Sequence, residues 1–139
     1  MGARILVPMD GSEMATRALE HALKVYPDAE ITVLHVVGSP SPMMGKAMGL
    51  AMEDDLEEAA EEHATEIFER AREIAESHDA DIETNVAWGS PAKAIVKRAD
   101  SFDSVVLGSH GGSMADRLFV GNVAQTVFRR SPVPVTVVR

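Results

Sequence analysis

Five short segments rich in apolar and β-branched residues recur along the chain, and Gly-, Pro- or Asp-containing stretches separate them. Segments of this length with such boundaries predict β-strands. Residues 31–37 show no alternation of apolar and polar positions, so we expect a central strand that is covered on both faces. The predicted strands are residues 5–9, 31–37, 82–88, 104–107 and 133–138.

Four amphipathic segments lie between these strands and predict helices. The first follows Ser12, a residue suited to cap a helix N-terminus, and ends near Pro27. The third begins with Pro91 at its first position. The predicted helices are residues 13–26, 52–78, 91–99 and 122–130, and a long loop of residues 38–49 precedes the second. The second helix has an apolar stripe made of Leu56, Ala60, Ala64, Ile67, Ala71 and Ile74.

This alternation predicts one α/β domain over residues 1–139, with an open parallel five-stranded sheet and helices on both faces. We predict the strand order 3-2-1-4-5. Ligands bind such sheets beyond the carboxyl ends of the strands, where the strand order reverses. The loops after strands one and four flank that point, so Asp10 and residues 108–121 should face one crevice.

Composition excludes several classes of function. The chain has no Cys, which rules out disulfides and thiolate chemistry, and its five His residues show no metal-ligand spacing. No apolar run approaches the ~20 residues that a membrane-spanning helix needs. The N-terminus shows no signal-peptide pattern, so we expect a cytoplasmic protein that does not associate with membranes.

The formal charge of −9 is unevenly distributed. Residues 53–83 contain fourteen acidic residues and two arginines, and the rest of the chain is mildly positive. An anion can therefore bind away from the acidic segment, because salt screens charges beyond about 8–10 Å. The chain has no basic stripe with interleaved aromatic residues, and we expect no nucleic-acid partner.

A glycine-rich motif connects the fourth strand to the fourth helix. Gly108 and Gly111 are followed after nine residues by Gly121. Glycines allow backbone N–H groups to approach an oxyanion, and a helix N-terminus adds unpaired donors and a favourable dipole. The motif therefore favours phosphate binding, although the same glycines could serve only to form turns.

Other nucleotide-binding and phosphate-accepting motifs are missing. The sequence contains no G-x-x-x-x-G-K-[ST] and no G-x-G-x-x-G after the first strand. A receiver domain would need paired acids after strand one and an Asp at the end of strand three, where this chain has Trp88 and Gly89.

With these residues assembled, the chain resembles the universal stress protein family along essentially its whole length. Nucleotide-binding members of that family carry G-x-x-G, nine residues, then G-[ST], and this chain has the three glycines at that spacing. Further family-like segments are Val-Pro-Met-Asp-Gly-Ser at 7–12, Leu-His-Val at 34–36, Gly-Ser-Pro at 89–91 and Ser-Pro-Val-Pro-Val-Thr-Val-Val-Arg at 131–139.

The resemblance implies an ATP-binding protein that acts as a stress-response or signalling switch, with AMP or ADP as other ligands and Mg²⁺ as a possible companion of the nucleotide. Asp10 would meet the ribose or adenine, the backbone near Val36 would meet the adenine edge, and the glycine loop would hold the phosphates. The implied site residues are Pro8, Met9, Asp10, Val36, Gly108, Ser109, His110, Gly111, Gly121, Asn122 and Val123. The resemblance also implies a homodimer through the C-terminal strand 133–138 and an unidentified protein partner.

One position departs from the family pattern. Asn122 stands where nucleotide-binding members have Ser or Thr, whose hydroxyl would donate to a phosphate. Losing such a hydrogen bond weakens binding by about one to two decades. A purely interaction-based dimer and an enzyme acting on another adenine-containing substrate therefore stay open. Without a Lys in the glycine loop we expect at most slow ATP hydrolysis. His35, in a buried strand, is expected to be a hydrogen-bonded core residue.

Overall fold

The computed structural model describes residues 2–38, 53–110 and 121–139. Within these ranges, five strands alternate with four helices. The strands are β1 (Arg4–Pro8), β2 (Glu30–Val37), β3 (Ile82–Trp88), β4 (Ser104–Gly108) and β5 (Val135–Val138). The helices are α1 (Glu13–Val25), α2 (Glu53–Ser77), α3 (Pro91–Ala99) and α4 (Asn122–Arg130). The predicted loop over residues 38–49 lies almost entirely outside the described residues.

The five strands form one parallel sheet in the order β3-β2-β1-β4-β5, as the sequence predicts. One apolar cluster joins one face of the sheet to α1 and α2, and a second joins the other face to α3 and α4. Helices therefore cover both faces. Strand β2 is buried over Ile31–His35, which agrees with its predicted central position.

Several element boundaries differ from the predictions by one or two residues. Strand β4 continues to Gly108 instead of ending at Leu107, so the first glycine of the motif is a strand residue. Strand β5 begins at Val135 instead of Val133. Pro134, which has no N–H to donate, immediately precedes it. None of the helices in the described ranges has the length and apolar character needed to cross a bilayer.

Helix α1 begins where its capping chemistry places it. The Ser12 Oγ accepts a hydrogen bond from the Ala15 N–H at 3.2 Å, and Glu13 puts a negative charge in the first turn. In α2, the predicted stripe is buried from Ala64 onward, with Ile67, Ala71 and Ile74 against the sheet. The side chain of Leu56, at the start of that stripe, lies outside the described residues.

A crevice opens between the two central strands because they diverge. Strand β1 pairs with β4 only at Ile5–Ser104 and Leu6–Val105, although both strands continue beyond this point. In contrast, β1 remains paired with β2 as far as Pro8 and Leu34. The separation at the carboxyl ends of β1 and β4 coincides with the reversal of strand order, where parallel sheets bind ligands.

Candidate functional site

A cavity of about 340 Å³ occupies this crevice. Its walls come from the ends of β1, β2 and β4, from the start of α1, and from the N-terminal turns of α3 and α4. The lining residues are Pro8, Met9, Asp10, Ser12, Ala15, Leu34, Val36, Pro91, Ile95, Leu107, Gly108, His110, Gly121, Asn122, Val123 and Ala124. The wall is thus largely apolar, with a small number of polar groups, as is usual for small-molecule sites.

Nine of the eleven residues that the family resemblance implies line this cavity, although they come from four separate parts of the chain. Of the other two, Ser109 is completely buried behind the cavity wall. Gly111 lies outside the described residues, as do Arg117 and the rest of the nine-residue spacer.

Helix α4 places backbone N–H groups that have no partner within the helix at the cavity wall. Its first intrahelical hydrogen bond runs from the Gln125 N–H to the Gly121 carbonyl at 2.9 Å, so the N–H groups of Asn122, Val123 and Ala124 lie outside the helical ladder. All three residues line the cavity. The N-cap is Gly121, which has no side chain to satisfy these donors, and the first turn contains no acidic residue.

Asn122 does not cap helix α4. Asn is a favourable capping residue, but Asn122 is the first residue of the helix proper, and its exposed side chain lines the cavity. Helix α1 provides a contrast, because the Ser12 Oγ accepts one of its N-terminal N–H groups and Glu13 puts a negative charge in its first turn. An anion in this crevice therefore has a better site at α4 than at α1.

The two described glycines of the motif are required for close packing and not for a left-handed backbone. Gly121 has φ −66° and ψ 163°, an ordinary extended conformation. A Cβ at Gly108 would lie 2.9 Å from the carbonyl carbon and oxygen of Met14, so β4 packs directly on the start of α1. A Cβ at Gly121 would lie 3.3 Å from the His110 Cα and the Ser109 carbonyl oxygen. Neither of these two glycines therefore serves a turn that needs a positive φ.

Asp10 lies in a tight turn between β1 and α1. Its Oδ1 accepts the Ser12 N–H at 2.9 Å, and Gly11 between them has φ +86°, a left-handed conformation that favours glycine. Asp10 thus belongs to the turn that leads into the cap of α1 and also lines the cavity. The Asp10 side chain is exposed, lines the cavity and is the one carboxylate among the described lining residues.

Ser109 and His110 connect the end of β4 to α4. The Ser109 Oγ and the His110 Nδ1 are 2.9 Å apart, and His110 faces the cavity. The Ser109 backbone also donates to the Val138 carbonyl at 2.8 Å and accepts the Gly121 N–H at 2.6 Å. Ser109 is therefore a structural link that fixes the N-terminus of α4 relative to β5.

Comparison with known proteins identifies the family. The model of the universal stress protein family matches residues 1–139. The chain belongs to the universal stress protein family. A universal stress protein of Methanocaldococcus jannaschii is 31% identical over 140 residues, which cover 98% of this chain and 81% of the relative.

Solved structures of the family share the fold along the whole chain. UspA from Lactobacillus plantarum superposes with a TM-score of 0.78 at 26% identity, covering 99% of this chain and 97% of that protein. A universal stress protein in complex with cAMP gives a TM-score of 0.73 at 27% identity, with coverage of 99% and 97%.

Part of the cavity wall was missed in the sequence interpretation. Pro91 and Ile95 of α3 and the strand residues Leu34 and Leu107 line the cavity beside the predicted residues. The segment Gly-Ser-Pro at 89–91 already looked like a family position, and strand order 3-2-1-4-5 carries α3 across β2 and β1. Together these two signals could have placed Pro91 at the crevice.

Proposed function

We propose that this member of the universal stress protein family binds an adenine nucleotide, with ATP as the leading ligand, and acts as a nucleotide-dependent stress-response or signalling switch. The proposal rests on two features that border one cavity. The uncapped N-terminus of α4 and an apolar wall at the ends of β1, β2 and β4 face the same cavity. Such a site combines donors for a phosphate with a surface for a purine ring.

The lining residues fit the two ends of a nucleotide. The apolar side chains of Leu34, Leu107 and Ile95 offer a surface for the adenine, and Asp10 can accept hydrogen bonds from the ribose hydroxyls. The N–H groups in the first turn of α4 would hold phosphate oxygens. A family member with 27% identity has been solved with cAMP, which is also an adenine nucleotide.

We expect at most slow hydrolysis of a bound triphosphate. Efficient phosphoryl transfer needs cationic groups that neutralise the charge developing on the transferred phosphoryl group. The described residues that line the cavity include neither Lys nor Arg. The carboxylate of Asp10 could assist Mg²⁺ binding together with phosphate oxygens, because Mg²⁺ usually combines one or two carboxylates with a phosphate.

The switch role is supported by hydrogen bonds that connect the cavity to the sheet edge. The Ser109 N–H donates to the Val138 carbonyl of β5, and the Ser109 carbonyl accepts the Gly121 N–H at the start of α4. Phosphate bound at α4 would favour one placement of this helix. A partner that recognises the same placement at β5 would then bind more tightly, since coupling between two sites is reciprocal.

Direct binding measurements test the nucleotide proposal. We expect purified protein to retain ATP in equilibrium dialysis, and mass spectrometry of denatured protein to reveal an adenine nucleotide that co-purifies. Dialysis against ADP, AMP and cAMP would rank the ligands. If none of the four nucleotides is retained at millimolar concentration, the interaction-based dimer becomes the better description of this chain.

Asn122→Ser is expected to bind ATP about tenfold more tightly than wild type. The serine hydroxyl would add a charge-assisted hydrogen bond to a phosphate, an interaction of roughly 1.5–3 kcal/mol. Isothermal titration calorimetry measures the change. Asn85→Ser on β3, whose side chain accepts from Arg98 and lies outside the cavity, is the matched control and should leave ATP affinity unchanged. Equal affinities of wild type and Asn122→Ser would argue against phosphate contact at this position.

We also propose that the protein forms a homodimer through residues 133–138. Within the described residues β5 pairs with β4 alone, and its four residues are half-buried in the single chain. A strand with an unpaired apolar edge can pair with the same strand of a second copy around a two-fold axis.

Thr136→Lys is expected to weaken dimerisation at least about tenfold, because a two-fold axis would bring the added charges of both copies together at β5. Light scattering coupled to size-exclusion chromatography should give twice the 14.9 kDa chain mass for wild type and the single-chain mass for the variant. Thr65→Lys on the exposed surface of α2 is the control and should remain dimeric. A wild-type protein that elutes as a monomer would contradict the proposal.

A further inference from the structure

A buried histidine contacts the turn that forms one wall of the cavity, although it does not line the cavity itself. His35 of β2 is only 6% exposed, and its Nδ1 lies 2.9 Å from the Met9 carbonyl oxygen. A carbonyl can only accept, so Nδ1 carries the proton and donates. This contact confirms that His35 is a hydrogen-bonded core residue.

The bond fixes Met9 at the point where the β1–β2 ladder ends. The last paired residues of the ladder are Pro8 and Leu34. Beyond them, the Met9 N–H donates to the Leu34 carbonyl at 2.8 Å, while the Met9 carbonyl accepts from the imidazole. Strand β2 therefore holds both polar groups of the Met9 backbone, one through its own backbone and one through a side chain.

Helix α2 packs against the His35 imidazole through His63. The rings of His35 and His63 meet edge to face, with centroids 5.6 Å apart and an interplanar angle of 78°. A Cβ at Gly11 would lie 3.9 Å from the His63 Cε1 and 3.6 Å from Ile67, so the same part of α2 also lies under the turn. The segment of residues 9–12 therefore lies next to the imidazoles of His35 and His63. The hydrogen bond from the Ser12 N–H to Asp10 Oδ1 closes its turn.

We propose that His35 is a positioning residue for ligand binding, which acts through the Met9 carbonyl to hold Met9 and Asp10 in the cavity wall, with His63 packing against its ring. The inference rests on the proposed nucleotide site and identifies the end of the ligand that His35 affects. Met9 and Asp10 lie at the β1–α1 turn, whereas the phosphate donors lie on α4. His35 should therefore affect the nucleoside end of the ligand and leave the phosphate end unchanged.

The test uses a matched pair of variants at His35. Asn and Leu have nearly the same shape, but only Asn retains an N–H donor close to the position of Nδ1. We expect His35→Leu to weaken adenosine and ATP binding about tenfold, with inorganic tripolyphosphate unaffected, and His35→Asn to restore most of the loss. Calorimetric titration with each of the three ligands measures the effect.

The outcomes distinguish this inference from the proposed function. If wild type binds none of the three ligands, the nucleotide proposal itself fails. If wild type binds ATP and folded His35→Leu binds adenosine equally well, the positioning role is wrong. Equal losses for adenosine and tripolyphosphate, or equal losses in the Leu and Asn variants, would also overturn it, because a general packing defect does not distinguish ligand ends or donors.

A second position keeps the inference testable if His35→Leu does not fold. His63 is exposed on α2, so His63→Leu should be tolerated. Loss of its edge-to-face contact should weaken adenosine binding two- to threefold, in line with about 0.5 kcal/mol for an aromatic pair. His78→Leu, one residue after the end of α2, is the control with no expected change. Adenosine affinity that is unaltered in His63→Leu would then decide against the proposal.

Discussion

Gly108→Ala is expected to reduce the free energy of unfolding by about 3 kcal/mol and the melting temperature by roughly 10 °C. The added Cβ would lie 2.9 Å from three atoms of Met14, and two of these belong to the rigid backbone at the start of α1. This close contact can be relieved only if β4 and α1 move apart. Such a movement would disturb the core cluster that Val106 shares with α1. Chemical denaturation followed by circular dichroism measures the loss.

Gly38→Ala is the matched control for this substitution. Gly38 also lies at the carboxyl end of a strand, its φ is not positive, and no described atom lies within 4 Å of a Cβ at this position. The control should change stability by less than about 0.5 kcal/mol. If Gly108→Ala proves as stable as Gly38→Ala, the close contact of β4 with α1 does not explain the first glycine of the motif.

Gly121→Val is expected to weaken ATP binding at least about 100-fold. The backbone at Gly121 is extended and tolerates any residue, but its Cβ would already lie 3.3 Å from the Ser109 oxygen and the His110 Cα. The two γ-methyl groups of Val need more space than this contact allows, so the first turn of α4 must shift. Losing two charge-assisted hydrogen bonds to phosphate costs roughly 3–6 kcal/mol, at least two decades in affinity.

Equilibrium dialysis with ATP measures this loss, and thermal unfolding without ligand shows whether the variant is folded. Gly121→Ala adds the Cβ alone and should give an intermediate affinity. Gly38→Val introduces the same side chain outside the cavity and should bind ATP as wild type does. Tight ATP binding by folded Gly121→Val would place the phosphates away from α4 and overturn the proposed site.

The two predictions assign different roles to two glycines of one sequence motif. A Cβ at Gly108 would point toward α1, on the face of the sheet opposite α3 and α4. Gly108 is therefore expected to matter chiefly for stability. Gly121 closes the cavity wall at the N-cap of α4 and is expected to matter chiefly for binding. A stability measurement and a binding measurement on the same two variants would therefore separate packing from ligand recognition.

Much of the fold could be predicted because its signals are local. The apolar runs, the Ser12 cap and Pro91 at a helix start give the correct elements, and the alternation of strands and helices favours the parallel sheet with helices on both faces. The errors are confined to ends, as at β5, which begins at Val135 and not at Val133. Such ends depend on one or two hydrogen bonds, which apolar patterns do not report.

The predicted site residues came from the glycine motif, the topological rule and the family resemblance, and none of these three indicates Leu107 or Ile95. In the sequence, Leu34, Leu107 and Ile95 have the pattern of ordinary core residues. They line the cavity because β1 and β4 diverge after the Leu6–Val105 pair. His35 belongs to the family-like segment at 34–36, but nothing in the sequence indicates its hydrogen bond to Met9.

The sequence alone determined the order of the elements, the parallel sheet and the two distant segments that face one crevice, because periodicity and turn chemistry act over a few residues. Only the tertiary structure decided why Gly108 and Gly121 are glycines, that no side chain caps the N-terminus of α4, and how His35 holds Met9. These features depend on distances of about 3 Å between residues far apart in the chain, such as Gly108 and Met14. The amino-acid pattern specifies neighbours along the chain, whereas contacts of this kind exist only after the sheet and its helices have packed.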